Sequence, residues 1–267
     1  MNPMLAALAD GSVVAKRNLI KIKRVPEVLV FILLSPIMFV LLFAFVFGGA
    51  IEVPGMNYRE FLIAGIFAQT VVFGATFTGA GLAEDMQKGI IDRFRSLPMS
   101  RSAVLIGRTA SDIVYNVLSI AVMALTGLLV GWRIRTSLTE ALAGFLLLLL
   151  FAYAFSWIMA YVGLIVPSVE VINNATFVVI MPLTFIANTF VPSESLPFAL
   201  RVFAEWNPVS AVVQATRELF GNINPAAPPP QVWSLQHPVV YTLIWVVIIL
   251  AVFIPLSVHQ YKRAATR

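Results

Sequence analysis

The sequence predicts an all-helical membrane protein with six transmembrane helices, on three observations. Hydrophobic residues make up 60% of its 267 residues and charged residues only 12%, for a mean hydropathy of +0.91, which is too apolar for a soluble domain. A bilayer core about 30 Å thick requires about 20 apolar residues per helix, and six runs of that kind recur between polar or proline-rich breaks, at 28–50, 58–83, 103–130, 138–166, 169–191 and 239–257. Finally, the cationic residues are lopsided. With six crossings, thirteen of the eighteen Lys and Arg residues fall on one side of the membrane (those before residue 25, between 88 and 108, and after 261), and five on the other. Lys and Arg resist translocation, so both termini are expected in the cytoplasm of a multi-pass cell-membrane protein. The net charge of +5 then reflects topology and calls for no nucleic-acid partner.

Ahead of the first run, Ala15, Leu19 and Ile22 share one face of a helix while Lys16, Arg17, Lys21 and Arg24 gather on the other. This predicts a basic amphipathic helix over 1–27, attracted to anionic membrane lipid at about 1 kcal/mol per basic residue, with Pro26 separating it from the membrane segment. The first apolar run is too long for the core of a signal peptide and no small-residue cleavage site follows it, so it reads as a transmembrane anchor. The region 28–258 carries the six spans, and 259–267 forms a short cytoplasmic tail.

Between the second and third runs stands a charged island, EDMQKGIIDRFRSLPMSR, from Glu84 to Arg101. Glu84, Lys88, Asp92 and Arg95 follow helical spacing with alternating charge, and Met86, Ile90, Phe94 and Leu97 repeat that spacing on another face. The pattern predicts one short interfacial helix, stopped by Pro98. Gly89 fits either a close approach by a partner or a tolerated helix glycine.

Between the fifth and sixth runs, Asn207 is a good N-cap, Pro208 suits the first helical position and Gly221-Asn222 a C-cap. A second short helix is expected from near Pro197 to just before Asn207. The pair holds too many apolar residues for a solvated loop and too few for a crossing, so two short re-entrant helices are predicted, with Glu205, Trp206, Asn207 and Pro208 at their joint as a candidate external gate. Pro225 to Pro230 reads as a stiff linker and Trp233 as an interface marker.

Two segments resemble a known family. The acid, Gly89, and basic-hydrophobic stretch closing on Ser96-Leu97-Pro98-Met99-Ser100-Arg101 is similar to the cytoplasmic coupling segment of type-2 ABC export permeases, particularly the daunorubicin/doxorubicin-resistance permeases. The segment from Asn188 to Asn222, with its Val-Pro-x-x-x-Leu-Pro and Glu-Trp-Asn-Pro elements, resembles that family's region between spans five and six. The resemblance implies a permease subunit that binds no cofactor itself and works as a dimer, with the same or a related second permease. Two copies of a separate ATP-binding subunit would use ATP and Mg. The chain agrees in lacking any G-x-x-x-x-G-K-[ST] phosphate loop. Glu84, Asp85, Lys88, Gly89, Asp92 and Arg93 are then the residues expected to dock the ATPase.

Polar residues within the spans are costly in lipid and mark a candidate pathway: Gln69, Thr70, Asn116, Asn173, Asn174, Thr184 and Asn188, with Thr76 and Thr78 beside them. Each also suits ordinary interhelical hydrogen bonding at about 0.6 kcal/mol. Asp112, four residues after Arg108, reads as half of a local ion pair. Twenty Phe and nine Met residues offer adaptable apolar surface suited to amphiphilic, drug-like or lipid-like cargo. An ATP-independent secondary transporter or channel is the alternative. An enzyme is disfavoured, since the chain has no cysteine and its two histidines, His237 and His259, flank the last run.

Overall fold

The computed structural model describes residues 3–24, 26–48, 55–97, 99–100, 102–166, 168–224 and 229–263. Among them the chain is helical almost throughout, with no strand. Helix α1 (Pro3–Arg24) leads into α2 (Pro26–Leu41), which passes into a π-helical turn at Leu42–Phe47. Then follow α3 (Tyr58–Gly74), α4 (Thr76–Gln87), α5 (Ile90–Arg95), α6 (Ala103–Val130) and α7 (Leu138–Ile165). Helix α8 (Val169–Ala175) continues through a π-helical segment, Thr176–Ile180, into α9 (Met181–Phe185). The rest comprises α10 (Phe198–Trp206), α11 (Pro208–Phe220), α12 (Trp233–Gln236) and α13 (Pro238–Arg263).

Four described helical stretches are long and apolar enough to cross a membrane: Tyr58–Gln87, Ala103–Val130, Leu138–Ile165 and Pro238–Arg263. Two shorter apolar stretches, Leu33–Val46 and Val169–Phe185, stand where the first and fifth spans were predicted. The outward surface is greasy, with Leu129 88%, Val178 74% and Val247 65% exposed, as lipid-facing side chains are. Residues that would be an aggregation hazard in water are here matched to their solvent. The chain is thus an all-helical, multi-pass membrane protein.

The third span coincides with its predicted limits, and the fourth ends one residue early, with Val166 as its C-cap. Ser137 caps the fourth span, accepting from the Glu140 N–H while the Glu140 carboxylate accepts from the Ser137 N–H. The fifth stops at Phe185 rather than residue 191, because the chain beyond it turns to pack its backbone on α11. The last runs on to Arg263, since Tyr261 is buried beside Leu105 and Trp157, and Lys262 and Arg263 suit the negative end of the helix dipole. Pro98, Arg101 and Pro225 to Pro228, which figure in the predicted loop helix and linker, lie outside the described residues.

Helix α7 is the hub, touching α4, α6, α11 and α13; its Leu148, Phe151 and Ala152 are essentially inaccessible. Helices α4 and α7 cross backbone to backbone: a Cβ added to Gly163 would lie 2.4 Å from the Gly79 carbonyl oxygen. Small residues permit this approach, which replaces the hydrophobic force that is missing between helices in lipid. Helix α1 packs along α6. Among its described side chains the buried residues are Gly11, Val14 and Asn18, whereas Ala15 and Leu19 of the predicted apolar face flank the contact and the Ile22 side chain lies outside the described ones. The face is rotated because the helix meets protein as well as solvent, and Asn18 finds a partner there.

Candidate functional site

The helix that begins at Tyr58 bends in mid-course. Ala75 separates α3 from α4; the Thr78 N–H bonds to the Ala75 carbonyl, and the Thr76 hydroxyl donates to the Phe73 carbonyl at 2.6 Å. This tightened turn forms one wall of a cavity of about 370 Å³, bounded also by α2 and α6. Gln69, Thr70 and Thr76 line it from the bend, Ser35, Pro36 and Phe39 from α2, and Asp112, Tyr115, Asn116 and Ser119 from α6. The structure therefore brings together four of the polar span residues predicted for the pathway: Gln69, Thr70, Thr76 and Asn116.

The others lie elsewhere. Asn173 and Asn174 are exposed on α8. Thr184 is buried but returns its hydroxyl to the Ile180 carbonyl at 3.0 Å, inside its own helix. Asn188 is buried near α11: its N–H donates to the Ser210 hydroxyl at 3.1 Å and its carbonyl accepts from Arg217. In exchange, the cavity recruits Asp112. The Thr78 hydroxyl donates to the Asp112 carboxylate, while the Arg108 guanidinium donates to the Phe77 carbonyl at 2.5 Å. The expected Arg108 to Asp112 pair does not close to contact distance, because the arginine bonds the Phe77 carbonyl instead. The spacing of Asp112, Tyr115, Asn116 and Ser119 on one helical face was the signal for this wall.

At the end of the molecule bearing the charged island, α4 runs without interruption through Glu84 and Asp85 to Gln87. The helix then breaks at Gly89, whose φ of +63° is left-handed, and α5 starts afresh. The single amphipathic helix predicted from Glu84 is therefore two pieces, the first a continuation of the span. No atom lies within 4 Å of a Cβ built on Gly89, so within this chain the glycine serves the turn and not a close approach. Lys88 pairs with Glu84 at 2.5 Å, and that partner raises the ammonium's pKa above the ordinary lysine range. Asp92 and Arg93 are exposed on α5.

Asp85 is different, since it is buried and bonded to Arg17 of α1 at 2.8 Å. The same guanidinium lies 4.9 Å from the Phe94 ring centre of α5 and donates to the Asn18 side chain, which donates in turn to Ser111 of α6. Arg17 thus ties α1, α4, α5 and α6 into one corner. The sequence places Arg17 on a basic, lipid-attracted face and on the cytoplasmic side, and nothing local in it points to the contact 68 residues away.

At the opposite end, Asn207 caps α11 as predicted, accepting the Val209 N–H at 2.9 Å, and its amide donates to the Leu183 carbonyl at 2.7 Å. Pro208 opens the helix and Gly221 closes it. Glu205 pairs with Arg201 at 2.7 Å, its carbonyl accepts the Ser234 hydroxyl, and the Trp206 carbonyl accepts the Tyr241 hydroxyl at 2.9 Å. Glu205, Trp206 and Asn207 of the joint are thereby fastened to α12, α13 and α9. Arg217, counted among the external charges, is fully buried. Its Nε donates to the Phe61 carbonyl at 3.0 Å and its Nη2 to those of Asn188 and Thr189 at 2.8 and 3.3 Å, with its guanidinium over the Phe61 ring. Phe67, Trp132, Phe145 and Phe220 form an aromatic cluster, edge to face except for the tilted Phe145–Phe220 pair, and the Trp132 indole donates to Asn222 at 2.6 Å.

Residues 11–220, most of the chain, match the family model of the ABC-2 type transporter. Among curated proteins, the chain is 34% identical over 203 residues to the daunorubicin resistance ABC transporter permease protein DrrB1 of Streptomyces coeruleorubidus, covering 76% of this chain and 72% of that one. It is 25% identical over 233 residues to the probable doxorubicin resistance ABC transporter permease protein DrrC of Mycobacterium tuberculosis, covering 86% and 80%. It is 24% identical over 214 residues to the putative transport permease ycf38 of Cyanophora paradoxa, covering 79% and 73%. A match spanning both corners and the bend between them makes this chain a member of the ABC-2 type transporter family.

Proposed function

We propose that the chain is the transmembrane permease subunit of an ATP-driven exporter that moves amphiphilic, drug-like or lipid-like molecules out of the cell. It crosses the membrane six times with both termini in the cytoplasm, the two short apolar stretches completing the count. It pairs with the same or a related permease, and two copies of a separate ATP-binding subunit use ATP and Mg to drive alternating access. Family membership supports the subunit type, and the names of the resistance permeases it resembles support the cargo class.

The observation that carries the mechanism is the corner at the end of α4. A membrane helix that continues to Gln87, turns at Gly89 and presents Asp92 and Arg93 outward is suited to receive a push and pass it into the bilayer. Arg17 couples that push to α1 and α6, and the bend at Ala75 transmits it to the cavity wall. The docking surface in this reading is Glu84, Lys88, Asp92 and Arg93 around Gly89, with Asp85 holding the corner together from inside.

The test is purification of the chain in mild detergent, asking whether an ATP-binding polypeptide accompanies it and leaves when Asp92→Arg and Arg93→Glu are combined. Dependence on those residues is the expected result. A chain that purifies alone and moves solute in proteoliposomes without ATP is instead a secondary transporter, and the proposal fails.

A further inference from the structure

We infer that Arg108 and Asp112 form a two-position switch on α6: in this structure each grips the bent helix at the start of α4, and when α4 swings away the two pair with each other. The switch rests on the proposed function only for what moves α4, the push of a partner at the corner. The grip is a polar ladder laid across the bend. Arg108, Asp112 and Asn116 recur every fourth residue and so share one face of α6. They meet the bent helix in reverse order. The Arg108 guanidinium donates to the Phe77 carbonyl at 2.5 Å, Asp112 accepts the Thr78 hydroxyl, and the Asn116 Oδ1 lies 3.1 Å from a Cβ built on Gly74. A Cβ built on Gly81 would overlap the Arg108 guanidinium, so the first rung requires that residue 81 carry no side chain. The helix held in this way starts at the break at Ala75 and ends at the corner tied by Arg17.

What makes the ladder a switch and not a fixed tie is the charge it leaves unmatched. Asp112 is buried, and among the described contacts its carboxylate takes a single hydrogen bond, from the neutral Thr78 hydroxyl. The Arg108 guanidinium likewise makes one, to a neutral carbonyl, and its Nε is buried without a partner. An ion drawn out of water is poorly compensated by one neutral contact. Yet each of these stands four residues from an opposite charge on the same helix, a spacing that allows direct contact. Withdrawing Phe77 and Thr78 removes two hydrogen bonds to neutral partners and frees both ions to form a charge-assisted pair. A loss and a gain of the same kind offset one another, which is the condition for two populated arrangements. The ion pair that the sequence predicts belongs to the other position of α4.

The test exploits the absence of cysteine. Spin labels on Gln87→Cys at the end of α4 and Leu118→Cys on α6, both exposed positions, report the distance between the helices by pulsed electron spin resonance. The sample is the purified full-length chain in phosphatidylcholine nanodiscs, without nucleotide. Thr78→Val removes the donor that holds Asp112 and is expected to raise the ratio of displaced to seated α4 about fivefold, the worth of one hydrogen bond. Gly81→Ala, which evicts the guanidinium, is expected to raise it too. Adding Asp112→Asn to either variant should bring the ratio back down, because the displaced arrangement then lacks its ion pair. A merely structural tie predicts the reverse, a second lesion adding to the first. A single unshifted distance in both Thr78→Val and Gly81→Ala overturns the inference, as does a ratio that Asp112→Asn leaves unchanged or raises further. Should Thr78→Val fail to fold, Gly81→Ala carries the same comparison, and Arg108→Gln replaces Asp112→Asn in the same way. Loss of ATPase co-purification would instead sink the permease reading while leaving these ratios as they are.

Discussion

The two ends of the helix bundle solve the same problem, holding a helix against its neighbours, by opposite means. Around α11 the ties are buried: Arg217 is sealed among three carbonyls, four aromatic rings interlock, and Trp132 and Asn222 clamp the turn between α6 and α7. Around α5 the described ion pairs lie nearer water. The Arg17 to Asp85 pair has 35% and 6% of its side chains exposed, and the Glu84 to Lys88 pair lies further out. Buried polar contacts in a low dielectric rigidify, whereas exposed pairs contribute little and yield easily. The molecule thus has one end built as a block and another built as a joint, which suits a device pushed at the joint.

The largest expected effect falls on the block. Arg217→Met should strand the Asn188 and Thr189 carbonyls in an apolar setting, costing about 1–3 kcal/mol for each acceptor left unpaired. A marked drop in the thermal inactivation midpoint in detergent is expected, with Arg217→Lys in between. Unaltered midpoints would remove the distinction between the two ends.

Next comes the crossing that links them. Gly163→Val forces α7 away from the Gly79 carbonyl, and overpacking of this kind costs about 1–3 kcal/mol. The same thermal assay reads it, and Gly163→Ala should fall between the variant and wild type.

A smaller effect is expected at the joint. Arg17→Met should destabilise by about 1 kcal/mol, yet it should markedly speed amide hydrogen exchange over α5 and the end of α4, since the tie to Asp85 and the contact with Phe94 are lost together. Exchange unchanged in that region would show that the corner does not depend on α1.

The smallest is at the surface. Reversing the outer pair with Glu84→Lys and Lys88→Glu together should leave the midpoint within error while weakening retention of the ATP-binding partner. A fall in stability as large as that of Arg17→Met would make the pair structural and remove it from the docking surface.

Most of the helices were legible in the sequence, because a transmembrane helix is specified locally, by one apolar run of sufficient length and by its caps. Residues 103–130 and 138–165 needed nothing more, and Asn207, Pro208 and Gly221 framed α11 by chemistry confined to a few neighbours. The break at Gly89 was less legible: the helical spacing of Glu84, Lys88 and Asp92 continues straight across it, and periodicity alone cannot sense a left-handed residue.

The site was legible only in part. Gln69, Thr70 and Asn116 could be chosen because polar groups in a span are costly and therefore informative. Which of the candidates share a cavity depends on the bend at Ala75 and on the approach of α2 to α6, and so Asn173 and Asn174 were grouped with residues they do not join.

The sequence by itself determined that this is a helical membrane protein, where most of its helices lie and which segments carry its charge. These follow from runs of neighbouring residues and the thickness of a bilayer. Only the tertiary structure decided that Asp112 lines a cavity, that Asp85 is held by Arg17, and that Arg217 is buried among carbonyls. Each of those outcomes is a competition between partners distant in sequence, and in a water-poor interior the group that reaches a polar atom wins regardless of its spacing along the chain.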